Sequence, residues 1–160
     1  MKVLLLGGGG FIGCHTAQKL LESADHEVYC YDLFDDKVQD SLGHSRFTYI
    51  HGDIRCDHDR VEQLIKKADV VIDLIAYANP ALYVARPLDV FHLNFTENLK
   101  IADYCVEHRK RLIQFSTCEV YGKTVASLLH DQLPDRDNPA HAVFQEDTTA
   151  FILGPVNKHR

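Results

Sequence analysis

The stretch Gly7-Gly8-Gly9-Gly10-Phe11-Ile12-Gly13 is the part of this sequence most plainly built for chemistry. It fits Gly-x-Gly-x-x-Gly from Gly8 and Gly-x-x-Gly-x-x-Gly from Gly7. Glycines at this spacing let the backbone turn sharply and approach a pyrophosphate closely, where a Cβ would intrude. The apolar run Lys2–Leu6 before the loop reads as a buried strand, and Phe11–Ser23 after it as a helix. The free N–H groups and positive dipole end of such a helix suit phosphates. Gly13 lets the helix pack tightly on the sheet. Asp32 ends the next strand, 19 residues after Gly13. An acid there hydrogen-bonds both ribose hydroxyls and repels a 2′-phosphate, so NAD is expected rather than NADP. Gly7, Gly10, Phe11, Ile12, Gly13 and Asp32 are thus the first cofactor-binding candidates.

Two further places belong to the same expectation. Asp53 and Ile54, after a third strand, are candidates to hold the adenine edge and pack on its ring; the competing reading is a turn acid beside a core Ile. Leu74 and Ala76, at the end of a fourth strand, lie at the carboxyl edge where ligands sit in open sheets, and Ala76 is small enough to let a cofactor pass.

These positions need a scaffold, and strand and helix signals alternate to provide one. Strands are expected at Lys2–Leu6, Glu27–Tyr31, Phe47–His51, Val70–Ile75 and Arg111–Phe115, with a helix at Asp59–Lys67. Pro87 opens a long helix to about Glu107, with Leu88, Phe91, Phe95, Leu99 and Ala102 on one side. Such alternation predicts an α/β fold of the Rossmann type, a doubly wound parallel sheet with helices on both faces, over residues 1–160. Residues 123–150 are polar, carry Pro134 and Pro139, and read as a long loop excursion.

Composition removes several function classes. A net charge of -6 in 160 residues leaves no basic stripe for nucleic acid. No apolar run approaches the ~20 residues that span a bilayer. Five scattered cysteines suit free thiols in a reducing compartment, so a cytoplasmic protein is expected. The ten histidines show no metal-ligand spacing, and no metal is assigned.

Together with Phe115-Ser-Thr-Cys-Glu-Val-Tyr-Gly122, these motifs resemble the extended short-chain dehydrogenase/reductases, the NAD-dependent epimerase/dehydratase family, over nearly the whole chain. Asn94 sits where that family carries a helix Asn. Within it, Ser116–Lys123 and Arg136–Ala140 ahead of Glu146-Asp147 look like the UDP-apiose/UDP-xylose synthases. Gly154–Lys158 looks more like UDP-glucuronate decarboxylases. The resemblance implies a cytoplasmic enzyme that oxidises UDP-glucuronate at C4 and decarboxylates it, and that forms a homodimer when full length. It places Thr117 on the C4 oxygen and Glu119 as acid/base. Cys118 is a proton shuttle or a small filler, and Tyr83 a substrate contact or an aromatic packed on the core. Ala78 stands where the apiose/xylose synthases carry Cys, which counts against apiose formation.

The family's Tyr-x-x-x-Lys base is missing: Tyr104 is followed by His108 and Tyr121 by Val125. The chain is therefore expected to stop short of that base, to bind nucleotide and to turn over nothing by itself. The alternatives are a UDP-sugar 4-epimerase or 4,6-dehydratase and, from another class, a non-catalytic dinucleotide-sensing module.

Overall fold

The computed structural model describes residues 1–116 and, as backbone, residues 151–153. The strands are β1 (Lys2–Leu6), β2 (Glu27–Asp32), β3 (Phe47–His51), β4 (Val70–Asp73), β5 (Arg111–Gln114) and β6 (Phe151–Leu153). The helices are α1 (Phe11–Glu22), α2 (His58–Lys67), α3 (Pro80–Ala85), α4 (Pro87–Phe91) and α5 (Asn98–Glu107), with a π-helical turn, His92–Glu97, between α4 and α5. The sheet runs β3-β2-β1-β4-β5-β6, and all pairings among the first five strands are parallel.

β1 is apolar throughout its buried part because it is covered on both faces. Val3 to Leu6 are at most 1% exposed, and each such buried Leu contributes about 1.5–3 kcal/mol. Alternation sends Leu4 and Leu6 toward Val61 and Ile65 of α2 and Ile101 and Cys105 of α5. Val3 and Leu5 face the opposite layer, with Cys14, Ala17 and Leu21 of α1. The expected doubly wound architecture is therefore present.

Helix ends follow local chemistry. α2 carries Asp59 in its first turn and Lys66 and Lys67 in its last, matching the macrodipole. The Arg46 guanidinium gathers carbonyls from the end of α1 and the turn that follows it, donating to Leu21 (2.8 Å), Ser23 and His26 (3.0 Å).

Two elements depart most from the sequence expectation. β4 stops at Asp73 rather than Ile75. Leu74 N–H still donates to the Leu6 carbonyl at 2.9 Å, but the Ile75 N–H is taken by Asp73 Oδ1 at 3.0 Å. The helix from Pro87 is continuous but interrupted by the π turn, a feature that often marks a functional site. Its apolar side is the outer one: Leu88, Phe91, Phe95 and Leu99 are 50–71% exposed, whereas Leu93, Glu97, Ile101 and Cys105 are buried. Of the expected stripe, Ala102 alone packs against the core.

Among the described residues no helix is long and apolar enough to cross a membrane. Their four cysteines are free thiols. Glu62, Glu107 and His108 gather ligand atoms within 4.8 Å of one another, but the Glu62 carboxylate already pairs with Lys66 (2.7 Å) and His108 (2.8 Å).

Candidate cofactor site

Chain order along the sheet reverses between β1 and β4, so a crevice opens beyond the carboxyl ends of those strands. The glycine loop leaves β1 at this point. Gly7 adopts a positive φ of 76°, which glycine alone tolerates freely, and its N–H donates to the Tyr31 carbonyl at 2.9 Å.

The reason for each glycine differs. A Cβ at Gly13 would lie 2.5 Å from the Gly8 backbone, so Gly13 allows α1 to approach the loop. A Cβ at Gly8 would meet Cys30 Sγ at 2.6 Å, and one at Gly9 would strike the Phe34 carbonyl. Sequence spacing did not mark Gly9 as needed, because this contact comes from the loop after β2. Gly10 is different. Its nearest protein neighbour to a Cβ is the Gly7 carbonyl at an ordinary 3.6 Å, and its φ of -78° suits any residue. Protein packing does not demand glycine there; a ligand approaching the helix N-terminus would. Phe11 and Ile12, 70% and 51% exposed, flank that approach.

Asp32 ends β2 as expected. Its Oδ2 accepts the Gly9 N–H at 2.8 Å and its Oδ1 the Phe34 N–H at 3.2 Å. Each oxygen keeps a lone pair, enough for the two hydroxyls of a ribose. A cleft next to it is lined by Gly7, Asp32, Asp53, Ile54, Arg55, Ile75 and Tyr77, among others. Asp53 and Ile54 are thus brought to the same opening as Asp32, with Ile54 5% exposed and rooted in the core. The Asp53 carboxyl is held below its ordinary range, chiefly by hydrogen bonds from the Arg55 side chain.

The loop after β4 is pinned from the π turn. Asn94 accepts the Tyr77 N–H at 2.7 Å and donates to the Tyr77 carbonyl at 3.0 Å. Asn98 donates to the Ile75 carbonyl at 3.1 Å. Glu97, 8% exposed, secures the turn through His58 (2.8 Å) and Lys100 (3.0 Å). Beneath lies Asp73, 0% exposed, whose carboxyl burial pushes up to about 6 against the hydrogen bond of the Ile75 N–H. Of the two expected residues here, Leu74 packs partly into the α1-side core and Ala76 is exposed. Ile75 lines the cleft.

Arg55, Ile75, Tyr77 and Asn98 were not singled out from sequence. Asn98 had a readable signal, four residues after Asn94 on a helix; the others depend on tertiary approach. Tyr83 stands on α3, 46% exposed rather than packed on the core. Thr117, Cys118, Glu119 and the 123–150 excursion lie outside the described residues.

A glycine loop with one glycine left open to a ligand, an acid with free lone pairs and an adjoining cleft fit a dinucleotide. Residues 3–143 match the NAD dependent epimerase/dehydratase family. The chain belongs to that family, and its cofactor is NAD. Over 166 aligned positions it is 43% identical to UDP-D-apiose/UDP-D-xylose synthase 1 of Arabidopsis thaliana, and 42% identical to the UDP-D-apiose/UDP-D-xylose synthase of rice, Oryza sativa subsp. japonica. Each alignment covers 100% of this chain and 42% of the relative, so the chain spans less than half the length of these proteins. The solved PbgP3 protein of Burkholderia pseudomallei is 42% identical with a TM-score of 0.75, over 86% of this chain and 40% of that one. A UDP-glucuronic acid 4-epimerase of Bacillus cereus, solved with UDP-glucuronic acid and NAD, is 27% identical with a TM-score of 0.72, over 84% of this chain and 46% of that one.

Proposed function

We propose that this chain is the NAD-binding part of an enzyme that oxidises UDP-glucuronate at C4 and removes its C6 carboxylate, in the manner of a UDP-apiose/UDP-xylose synthase. The observation that carries the reading is the ligand-shaped cradle at the β1/β4 crevice, Gly10 and Asp32 above all, in a chain 43% identical to such a synthase. Bound NAD supplies the hydride acceptor. The helix end at Gly10 and the carboxylate of Asp32 hold the dinucleotide by its pyrophosphate and a ribose. Asn94 and Asn98 fix the Ile75–Tyr77 edge beside it. A C4 ketone is β to the C6 carboxylate, so loss of carbon dioxide leaves a stabilised enolate.

Thr117 is assigned to the C4 oxygen and Glu119 to proton transfer near C5. A carboxyl beside an anionic sugar acid is pushed toward proton donation. Cys118 stands between them as a proton shuttle, and Tyr83 is a substrate contact. The 160 residues contain no Tyr-x-x-x-Lys pair, so no base for the C4 hydroxyl is assigned within them, and this stretch by itself is expected to bind nucleotide without turnover. The exposed side formed by Leu88, Phe91, Phe95 and Leu99 is the surface we assign to a homodimer. The free thiols accord with a cytosolic setting.

Epimerisation at C4 without carbon loss is the second reading, favoured by the likeness to the Bacillus cereus 4-epimerase. Incubating the full-length enzyme with UDP-glucuronate and NAD separates the two. The proposal requires UDP-pentose and released carbon dioxide; UDP-galacturonate with the carboxylate retained would overturn it in favour of epimerisation.

A further inference from the structure

Asp53 and Arg55 lie two apart in the loop after β3, and the guanidinium holds the carboxylate almost completely. Asp53 Oδ1 accepts the Arg55 backbone N–H at 3.0 Å and its Nε at 2.9 Å. Oδ2 accepts Nη2 at 2.6 Å, with Nε at 3.1 Å. A carboxylate offers about four lone-pair positions. The Nε–H is a single proton shared between the two oxygens and nearer Oδ1, so Oδ1 is filled by two donors, while Oδ2, with Nη2 as its one full donor, keeps a position.

The fork itself is steadied from across the cleft, since Arg55 Nη1 donates to the Tyr77 hydroxyl at 3.4 Å. Tyr77 is in turn fixed by Asn94 through both its backbone N–H and its carbonyl. Arg55 therefore joins the loop after β3 to the loop after β4 at the cleft that Asp32, Ile54 and Ile75 also line.

We propose that Arg55 is a positioning residue for base selectivity: its fork orients Asp53 so that Oδ2 accepts from the exocyclic amine of an amino-purine. The proposal rests on the reading that this cleft holds the adenine end of NAD. An amine supplies the donor that the remaining lone pair lacks. A purine with a carbonyl at that position would set oxygen against oxygen, and a pinned carboxylate cannot turn away. Pairing with Arg55 also keeps Asp53 ionised, hence an acceptor only.

The test compares NAD with nicotinamide hypoxanthine dinucleotide, which has a carbonyl in place of the amine, by isothermal titration of the purified protein. The wild type should favour NAD by about tenfold or more, the scale of one hydrogen bond to a charged group. Arg55→Met should bring the two ligands to within about threefold of each other. Arg55→Lys, which restores charge without the fork, should fall between. Tyr77→Phe should lower the ratio by a smaller factor, and it serves independently if Arg55→Met proves unstable. An unchanged ratio in Arg55→Met and Tyr77→Phe would overturn the role of Arg55 while leaving Asp53 as the adenine acceptor. Equal binding of both ligands by the wild type would overturn the adenine reading itself.

Discussion

Replacing Asp73 by Asn should leave the protein less stable than the wild type near pH 4 and bring it level with or above the wild type beyond neutrality. The carboxyl is 0% exposed at the end of β4, between Leu6 on β1 and Gln114 on β5. One oxygen accepts the Ile75 N–H; Oδ2 has no hydrogen-bond partner among the described residues. Burial is the largest influence and raises the pKa from 3.8 to about 6. The folded protein thus prefers the neutral acid more strongly than the unfolded chain does. The stability associated with this site is full below pH 4 and is lost as pH rises through about 6. The gap between the two pKa values corresponds to about 3 kcal/mol at pH 7.5. Asn keeps the shape and the acceptor for Ile75 but brings an amide that also needs a partner, an offset of about 1–3 kcal/mol. The expected net gain is therefore about 0–2 kcal/mol at pH 7.5, about 3 kcal/mol better relative to the wild type than at the acid end. Urea unfolding of both proteins at intervals from pH 4 to pH 8 measures it. Curves of stability against pH that stay parallel would show that Asp73 does not carry this buried charge.

Gly10→Ala should fold as the wild type does, because its Cβ meets nothing closer than 3.6 Å, yet weaken NAD binding at least about tenfold, or ~1.4 kcal/mol. Gly13→Ala, with a Cβ 2.5 Å from backbone, should instead lower the melting temperature. Thermal melts and NAD titrations of the same samples distinguish these outcomes, and undiminished affinity in Gly10→Ala would remove the phosphate role of that glycine. In the full-length enzyme, Glu119→Gln should reduce decarboxylating turnover by about 10²–10⁴-fold, the usual contribution of a general acid/base. NAD affinity should not change; simultaneous loss of binding and folding would make Glu119 structural.

The fold was legible because buried parallel strands announce themselves as short apolar runs. Leu4 to Leu6 and Val70 to Ile72 had to be apolar on both faces, and they are. The glycine loop with Asp32 was legible for a similar reason: its chemistry is local and its spacing fixed. Register inside the long helix was not. A π turn adds a residue per turn without any compositional mark, and the apolar side of α4 and α5 turned out to face outward. The burial of Glu97 depends on His58 and Lys100, of which His58 is 39 residues away. Asp73 did leave a trace, a lone acid in the apolar run Val70–Ile75. Arg55 left none, because its partner Tyr77 belongs to a different loop.

The central claim is that Asp32 and the glycine loop form an NAD site, and parallel titrations with NAD and NADP test it most directly. Asp32 already binds the Gly9 and Phe34 amides, so its charge is fixed in place beside the ribose position. The wild type should bind NAD more tightly than NADP, and Asp32→Ala should weaken NAD binding by about 1–3 kcal/mol while narrowing the difference between the two. Equal or tighter binding of NADP by the wild type would contradict the account.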